Sequence, residues 1–455
     1  MSTALIILAA GKGTRMNSDL PKVLHRVGGA PMLAHALRAG ATLNPERTVV
    51  VAGHGADAVR QAVASHDAQA AIVVQKAQLG TAHAVAQAAP ALEGFGGDVI
   101  VLYGDTPFIS AETLKRMQAA RLGHDIVVLG FHAADPGGYG RLVMEGDTLR
   151  KIVEFKDADA PTRAITFCNS GVIAADAGKL FELIALVGNE NASGEYYLTD
   201  IVALARARGL TATAIACDEA ETLGVNSRAD LAAAEVAFQR RARAEALENG
   251  VTMLAPETVW FSHDTRIGSD AVIEPYVVFA PRVTVESGAH VRAFSHLEGC
   301  HVGRDAIVGP YARLRPGSTL ADRARVGNFV EIKNSEIRTG AKINHLSYIG
   351  DAEIGVASNI GGGTITCNYD GVMKHETTIG ARAFIGSDTM LVAPVRVGED
   401  AMTGSGSVIT QDVPDGALAL GRAQQVNKPG MARKLFETLR FKKARRDKKR
   451  DTETG

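Results

Sequence analysis

Residues 302–333 read VGRDAIVGPYARLRPGSTLADRARVGNFVEIK, and within them Val302, Val308, Leu314, Leu320, Val326 and Ile332 fall six residues apart. A helix repeats its apolar face every 3.6 residues and a strand every 2.0, so neither produces a beat of six. Hexapeptide periodicity is the signature of a parallel β-helix, in which each unit is one short flat face with a turn. Three units close a triangular coil, and the repeated side chain points inward. The beat extends in both directions. Upstream it runs Ile267, Ile273, Phe279, Val285, Val291 and Leu297. Downstream it runs Ile337, Ile343 and Ile349, then Ile354 and Ile360, then Ile379, Ile385, Leu391, Val397, Thr403 and Ile409. Glycine often follows the aliphatic residue, as at Gly268, Gly303, Gly309, Gly327, Gly350, Gly355, Gly361, Gly380, Gly386 and Gly398. Its tolerance of positive φ predicts a tight corner there, with close approach between turns.

Between Ile360 and Ile379 the segment GGGTITCNYDGVMKH breaks the beat. Such an insertion maps to a loop on one side of a solenoid, often its binding side. Inside the coil a cluster of polar residues recurs at coil-like spacing: Arg315, Lys333, His345, Tyr348, Asn359, Asn368, Tyr369 and Lys374. Arg315 and Lys333 lie eighteen residues apart, one full coil, so they are expected to stack on one face and grip a single anion.

At 455 residues the chain exceeds one core, and two or three domains are expected. Lys plus Arg number 49 against Asp plus Glu 50, a balance that points to neither nucleic acid nor a membrane surface as partner. Four scattered cysteines form no CxxC pair and suggest neither a zinc site nor a disulfide framework. The apolar run at the N-terminus lacks a basic flank and is too short to span a bilayer, so it reads as a buried strand. A soluble, cytoplasmic protein is the expectation.

Residues 4–225 alternate short apolar runs (4–9, 47–52, 71–75, 98–103, 125–131, 165–168, 212–217) with Ala-rich helical stretches. This alternation predicts an α/β domain built on a mainly parallel sheet. The expected boundaries are 1–226 for this domain, 227–250 for a linker helix, 251–428 for the coil and 429–455 for a basic tail. The tail carries Lys or Arg at eleven positions from Lys428 to Arg450 and reads as a solvated helix.

After the first predicted strand comes Leu8-Ala9-Ala10-Gly11-Lys12-Gly13-Thr14-Arg15-Met16, with Pro21-Lys22 close behind. A Gly-rich loop after a strand lets backbone N–H groups approach phosphate oxygens. It is neither a Walker loop nor a dinucleotide fingerprint. It does supply two cations, Arg15 and Lys22.

This string resembles the LxxGxGTRM…PK signature of the sugar-nucleotide pyrophosphorylases. The resemblance implies attack by a sugar phosphate on the α-phosphorus of a nucleoside triphosphate, with Arg15 and Lys22 as catalytic cations. Further strings are similar to the branch handling UDP-N-acetylglucosamine. They imply binding by Leu8, Ala9, Ala10, Gly11, Lys22, Gln75, Gly80, Thr81, Tyr103, Gly104, Asp105, Gly140, Glu154, Asn169 and Asn226. Asp105 and Asn226 are the implied Mg2+ ligands, both hard oxygen donors.

The second half resembles the hexapeptide-repeat acyltransferases, and the whole chain looks like the bacterial enzymes that unite N-acetylglucosamine-1-phosphate uridyltransferase with glucosamine-1-phosphate acetyltransferase. That family implies an α/β nucleotidyltransferase domain with a Rossmann-like mixed sheet, then a left-handed parallel β-helix, assembled as a homotrimer. It implies His345 as general base, and Arg315, Lys333, Tyr348 and Asn359 around glucosamine 1-phosphate. Acetyl-CoA would contact Gly362, Asn368, Tyr369, Lys374, Ser387, Ser405 and Arg422, with UTP and acetyl-CoA as co-substrates. Ser387 could also donate to the tetrahedral oxyanion, and Glu331 would help orient the cluster. Two positions depart from the family pattern. Gly362 stands where Ala is common, and Ser405 replaces a small apolar residue. A single-activity pyrophosphorylase and a trimeric scaffold are the rival readings. The cations and imidazole in the coil argue against the first, and Asp105 and Asn226 beside Arg15 and Lys22 argue against the second.

Overall fold

A computed structural model describes residues 2–453, and the chain divides into two compact units, Met1–His301 and Val302–Gly455. In the first unit, strands β1 (Thr3–Ala9), β2 (Arg47–Ala52), β3 (Ala71–Val74), β4 (Asp98–Tyr103), β5 (Ile126–His132), β6 (Arg141–Glu145), β7 (Thr148–Val153), β8 (Phe167–Asp176) and β9 (Ala212–Cys217) form one sheet in the order β9-β5-β8-β4-β1-β2-β3, with the hairpin β6–β7 attached to β8. β1 pairs in parallel with β2 and β4, as expected for buried apolar strands covered by helices. Apolar clusters fill both faces of the sheet.

The sheet is mixed rather than mainly parallel. β8 runs antiparallel to both β4 and β5, and its register shifts between Asn169 and Ile173. The strand therefore continues well past Cys168, through a polar Asn-Ser-Gly bulge where Gly171 takes φ +91. The β6–β7 hairpin is unexpected from the sequence, because Arg141, Glu145, Arg150 and Lys151 hide its apolar alternation. A 21-residue helix, Arg228–Glu248, follows, started by a capping box between Ser227 and Asp230. The unit ends in short strands that begin the coil, with Arg266–Ile267 on Thr284–Val285 and Val272–Ile273 on His290–Val291.

The second unit is parallel β-helix throughout, up to a C-terminal helix at Met431–Glu453. Val302, Val308, Leu314, Leu320, Val326 and Ile332 are all fully buried, each contributing about 1.5–3 kcal/mol of apolar burial. A second inward position, two residues before the aliphatic one, is also closed: Ala306, Ala312, Ser318 and Ala324 show at most 2% exposure. At these four repeats the position holds small side chains, whereas Val330 fills it on the next.

Apart from Gly309, which takes φ +95, the corner glycines serve close approach rather than positive φ. A Cβ on Gly327 would sit 2.0 Å from the Asn344 carbonyl oxygen, and one on Gly355 2.3 Å from the Gly380 carbonyl carbon. The left-handed residues follow two positions later and are mostly not glycine: Asp305, Tyr311, Arg323, Phe329, Leu346, Ala357, Asp388 and Asp400. Asp and Asn tolerate that region best, and the coil's ladder of hydrogen bonds holds the others there.

Two candidate active sites

In the first unit, β1 and β4 end side by side, and the loops after them enclose a cavity of about 240 Å3. Its walls include Leu8, Ala9, Ala10, Gly11, Lys22, Gln75, Gly80, Thr81, Tyr103 and Asp105. Gly104 donates its N–H to the Leu8 carbonyl, which pins the two loops together. Gln75 is buried and donates from Nε2 to the Gly80 carbonyl at 3.2 Å, and its amide lies 2.9 Å from His83 Nδ1. Thr81 accepts from the N–H of Leu198.

The Lys22 ammonium donates to the Asp105 carboxylate and, at 3.0 Å, to Asn226 Oδ1. Asn226 is set by its own N–H, which donates to the capping carboxylate of Asp230. A carboxylate and an amide oxygen thus converge on one cation, a donor set that also fits a hard divalent ion. Among the described residues, no three His, Cys, Asp or Glu side chains converge on one point, so such an ion would depend on phosphate and water oxygens for its remaining ligands.

Asn169, Gly140 and Glu154 form a second group beside Tyr103. The N–H of Asn169 donates to the Gly140 carbonyl, and a Cβ on Gly140 would lie 3.4 Å from Glu154 Oε2. Thr199 donates to Glu154 Oε1 at 3.1 Å. Burial pushes the Glu154 carboxyl up, and burial beside Asp105 and Glu154 pushes the Tyr103 phenol up. Arg15 is exposed on the loop and stands outside the cavity wall. Sequence reasoning gave no role to Arg141, which is 2% exposed and donates from Nε, Nη1 and Nη2 to the carbonyls of Arg163, Tyr139 and Gly137. It holds the loop that presents Gly140, and its burial could not be read from a lone Arg.

In the second unit, Asn328 pairs in register with His345, and the same register carries on through Gly362, Ser387 and Ser405. These five residues form a column at one corner, one per coil. Arg422 lies beside Gly406 at the column's far end. His345 is exposed, and its Nδ1 lies 2.7 Å from Asn328 Oδ1. A Cβ on Gly362 would meet the His345 Cβ at 3.5 Å, an ordinary contact.

Arg315 and Lys333 share a face, but each already has an anionic partner. Arg315 Nη1 donates to Glu331 Oε1 at 2.8 Å, and Lys333 Nζ is 3.8 Å from Asp351 Oδ2. Glu331 and Asp351 relieve the repulsion that would otherwise demand an external anion. Lys374, in the insertion, faces Lys333, and that like charge lowers its pKa. The Tyr348 phenol reaches over Gly350. Asn359 is half-buried on the coil after Lys342, and Tyr369 is exposed on the insertion with its hydroxyl on the Gly371 carbonyl. Asn328 and Asp351 are contributors the sequence reading did not single out.

A glycine-rich loop at the carboxyl ends of an α/β sheet, on a chain that also carries a histidine in a polar column on a β-helix, is the arrangement of a nucleotidyltransferase joined to a hexapeptide-repeat acyltransferase. Residues 5–166 match the family of MobA-like NTP transferase domains. The chain is 69% identical to the "Bifunctional protein GlmU" of Ruegeria sp. (strain TM1040), over 98% of this chain and 100% of that one. It is 66% identical to the protein of the same name from Jannaschia sp. (strain CCS1), over 96% of each. Against that from Paracoccus denitrificans (strain Pd 1222) it is 66% identical over 97% of this chain and 98% of the relative. The chain belongs to the GlmU family of bifunctional proteins. It is an enzyme that acetylates glucosamine 1-phosphate from acetyl-CoA and transfers a uridylyl group from UTP to N-acetylglucosamine 1-phosphate, making UDP-N-acetylglucosamine.

Proposed function

We propose that the two reactions are divided between the two clusters, with His345 as general base in the coil and Lys22, Asp105 and Asn226 at the centre of the uridylyl site. The observation that carries the assignment is the His345–Asn328 contact. An amide oxygen only accepts, so Nδ1 carries the proton and Nε2 keeps the lone pair a base requires. The ammonium of glucosamine 1-phosphate is no nucleophile until it loses a proton. Nε2 accepts that proton as the amine attacks the thioester carbonyl; collapse of the tetrahedral adduct breaks the C–S bond, and the second proton on the nitrogen passes to the departing sulfur, so that CoA leaves as the thiol. The hydroxyl of Ser387, two coils from His345 on the same corner, supports a role at the oxyanion. Arg315, Lys333, Tyr348 and Asn359 receive the sugar phosphate. Gly362, Asn368, Tyr369, Lys374, Ser387, Ser405 and Arg422 receive acetyl-CoA.

In the first unit the phosphate oxygen of N-acetylglucosamine 1-phosphate attacks the α-phosphorus of UTP, and pyrophosphate leaves. Here positioning and charge neutralisation do the catalysis. Leu8 to Gly11 offer backbone groups to the nucleotide, with Gln75, Gly80 and Thr81 on the base. Tyr103, Gly104, Gly140, Glu154 and Asn169 hold the sugar, and Arg15 and Lys22 offset phosphate charge. Asp105 and Asn226 would hold Mg2+, which when bound neutralises charge on the transferring phosphates.

The working assembly is a homotrimer, with domain boundaries at 226, 250 and 428, placed in the cytoplasm where UTP and acetyl-CoA are made. Its product feeds cell-wall and lipopolysaccharide synthesis. Among the described residues no helix is long and apolar enough to cross a membrane. The test is a pair of assays on the purified chain, thiol release with acetyl-CoA and glucosamine 1-phosphate and pyrophosphate release with UTP and N-acetylglucosamine 1-phosphate. Both signals are expected, and absence of either in folded protein overturns the reading.

A further inference from the structure

The next corner along the chain carries a second column: Asn334, Asp351 and Asn368, seventeen residues apart. Asn334 Nδ2 donates to Asp351 Oδ1 at 2.7 Å, and Asn368 Nδ2 donates to Asp351 Oδ2. The same Oδ2 is 3.8 Å from Lys333 Nζ. Asn334 and Asp351 take φ +44 and +49, the left-handed region that Asn and Asp enter most readily. Asn368 is 6% exposed and begins the insertion, returning its carbonyl to the N–H of His375 at the insertion's end. One carboxylate therefore touches a cation proposed for the sugar phosphate and an amide proposed for acetyl-CoA, at the root of the insertion.

Resting on the assignment of Lys333 and Asn368 above, we propose that Asp351 is a positioning residue that aligns the acceptor and donor subsites of acetyl transfer by holding both side chains at once. It touches neither reacting atom. Carboxylate chemistry is what the position needs, because Asp351 only accepts, receives from two amides and opposes the charge of Lys333 at 3.8 Å. Burial opposes its ionisation, but the hydrogen bonds from Asn334 and Asn368 and the charges of Lys333 and Lys374 hold the carboxyl below the usual range. It also offsets part of the like-charge pressure between Lys333 and Lys374. The groups facing Lys374 are Lys333, Asp351 and Tyr348, while Glu336, Arg338, Glu353, His375 and Glu376 ring the adjoining cavity.

The test compares Asp351→Asn and Asn334→Ala in the full-length protein. Asn at 351 keeps the size, still accepts from Asn368, and can donate to a turned Asn334, so the column survives while the anion is lost. Expected for Asp351→Asn is a rise of about fivefold or more in KM for both glucosamine 1-phosphate and acetyl-CoA, with kcat within about twofold. The alkaline limb of kcat/KM for acetyl-CoA should also move to lower pH, because Lys374 loses a neighbour that favours its charge. Asn334→Ala leaves Lys333 and Asn368 held, and its two KM values should stay near wild type. Unchanged KM values in Asp351→Asn overturn the inference. So does a change confined to the sugar phosphate, or equal KM rises in both variants, which would mark Asp351 as mere scaffolding. Absence of acetyl transfer in the wild-type protein would instead overturn the assignment on which the inference rests.

Discussion

His345 Nδ1 sits 2.7 Å from Oδ1 of Asn328, the residue directly in register with it on the preceding coil. Register in a β-helix fixes such a contact without any long side chain having to reach, because equivalent positions of successive coils stack. Removing the amide should leave the imidazole in place while freeing it to rotate and exchange tautomers. Asn328→Ala should therefore lower kcat for acetyl transfer about tenfold with little change in either KM. That is less than the roughly 10²–10⁴-fold that general-base catalysis supplies as a whole. Steady-state kinetics against both substrates reads this directly, and an unchanged kcat would show that the contact does not set the base.

Gly362 gives the opposite expectation. The methyl of Gly362→Ala meets His345 only at ordinary contact distances, 3.5 and 3.6 Å, and the position needs no positive φ. Acetyl-transfer kcat should stay within about twofold of wild type. A tenfold loss would mean that the corner is tighter than its geometry indicates.

In the first unit, Asp105 and Asn226 are the two oxygens that meet at Lys22. Asn226→Ala should reduce uridylyl transfer at least tenfold and raise the Mg2+ concentration needed for half-maximal rate, leaving acetyl transfer unaltered. EDTA should stop pyrophosphate release alone. Inhibition of thiol release by EDTA, restored by Mg2+, would move the metal to the wrong reaction.

Asp125 supplies a test of stability. The Lys179 ammonium, 2.6 Å away, and the N–H and hydroxyl of Thr211 hold its pKa at about 2, below the usual 3.8. A carboxyl whose pKa is depressed on folding stabilises the fold fully above its unfolded pKa, and that contribution disappears as pH falls from about 4 to about 2. Solvent screens the pair, so Asp125→Asn should cost on the order of 1 kcal/mol at pH 7. The difference in thermal midpoint between wild type and variant should shrink towards pH 2; a constant difference would assign the cost to lost hydrogen bonds.

The coil was legible because one periodic rule governs a large part of the chain, and buried aliphatics from Ile273 to Ile409 obey it. His345, Lys333 and Arg315 stood out because such side chains are rare on a repeat of small and aliphatic residues. Asn328, Asn334 and Asp351 did not, since Asn and Asp at coil corners read as turn formers. Only the stacking of coils shows that Asn328 holds the base and that Asp351, itself bonded to Asn334, meets both a cation and an amide. The close approach read for the corner glycines is present, but the positive φ read with it holds only at Gly309, because the two needs cannot be told apart in one strand of sequence. In the first unit the apolar strands and the loop from Leu8 to Met16 were plain. The charged β6–β7 hairpin and the bulged β8 were hidden by polar residues whose pairing depends on the finished sheet.

The most direct test of two separate catalytic centres is the parallel measurement of thiol release and pyrophosphate release from one preparation of His345→Ala. Acetyl transfer is expected to fall at least a hundredfold while uridylyl transfer runs at the wild-type rate. Undiminished thiol release, or the loss of both reactions in a protein that unfolds at the wild-type temperature, would contradict the account.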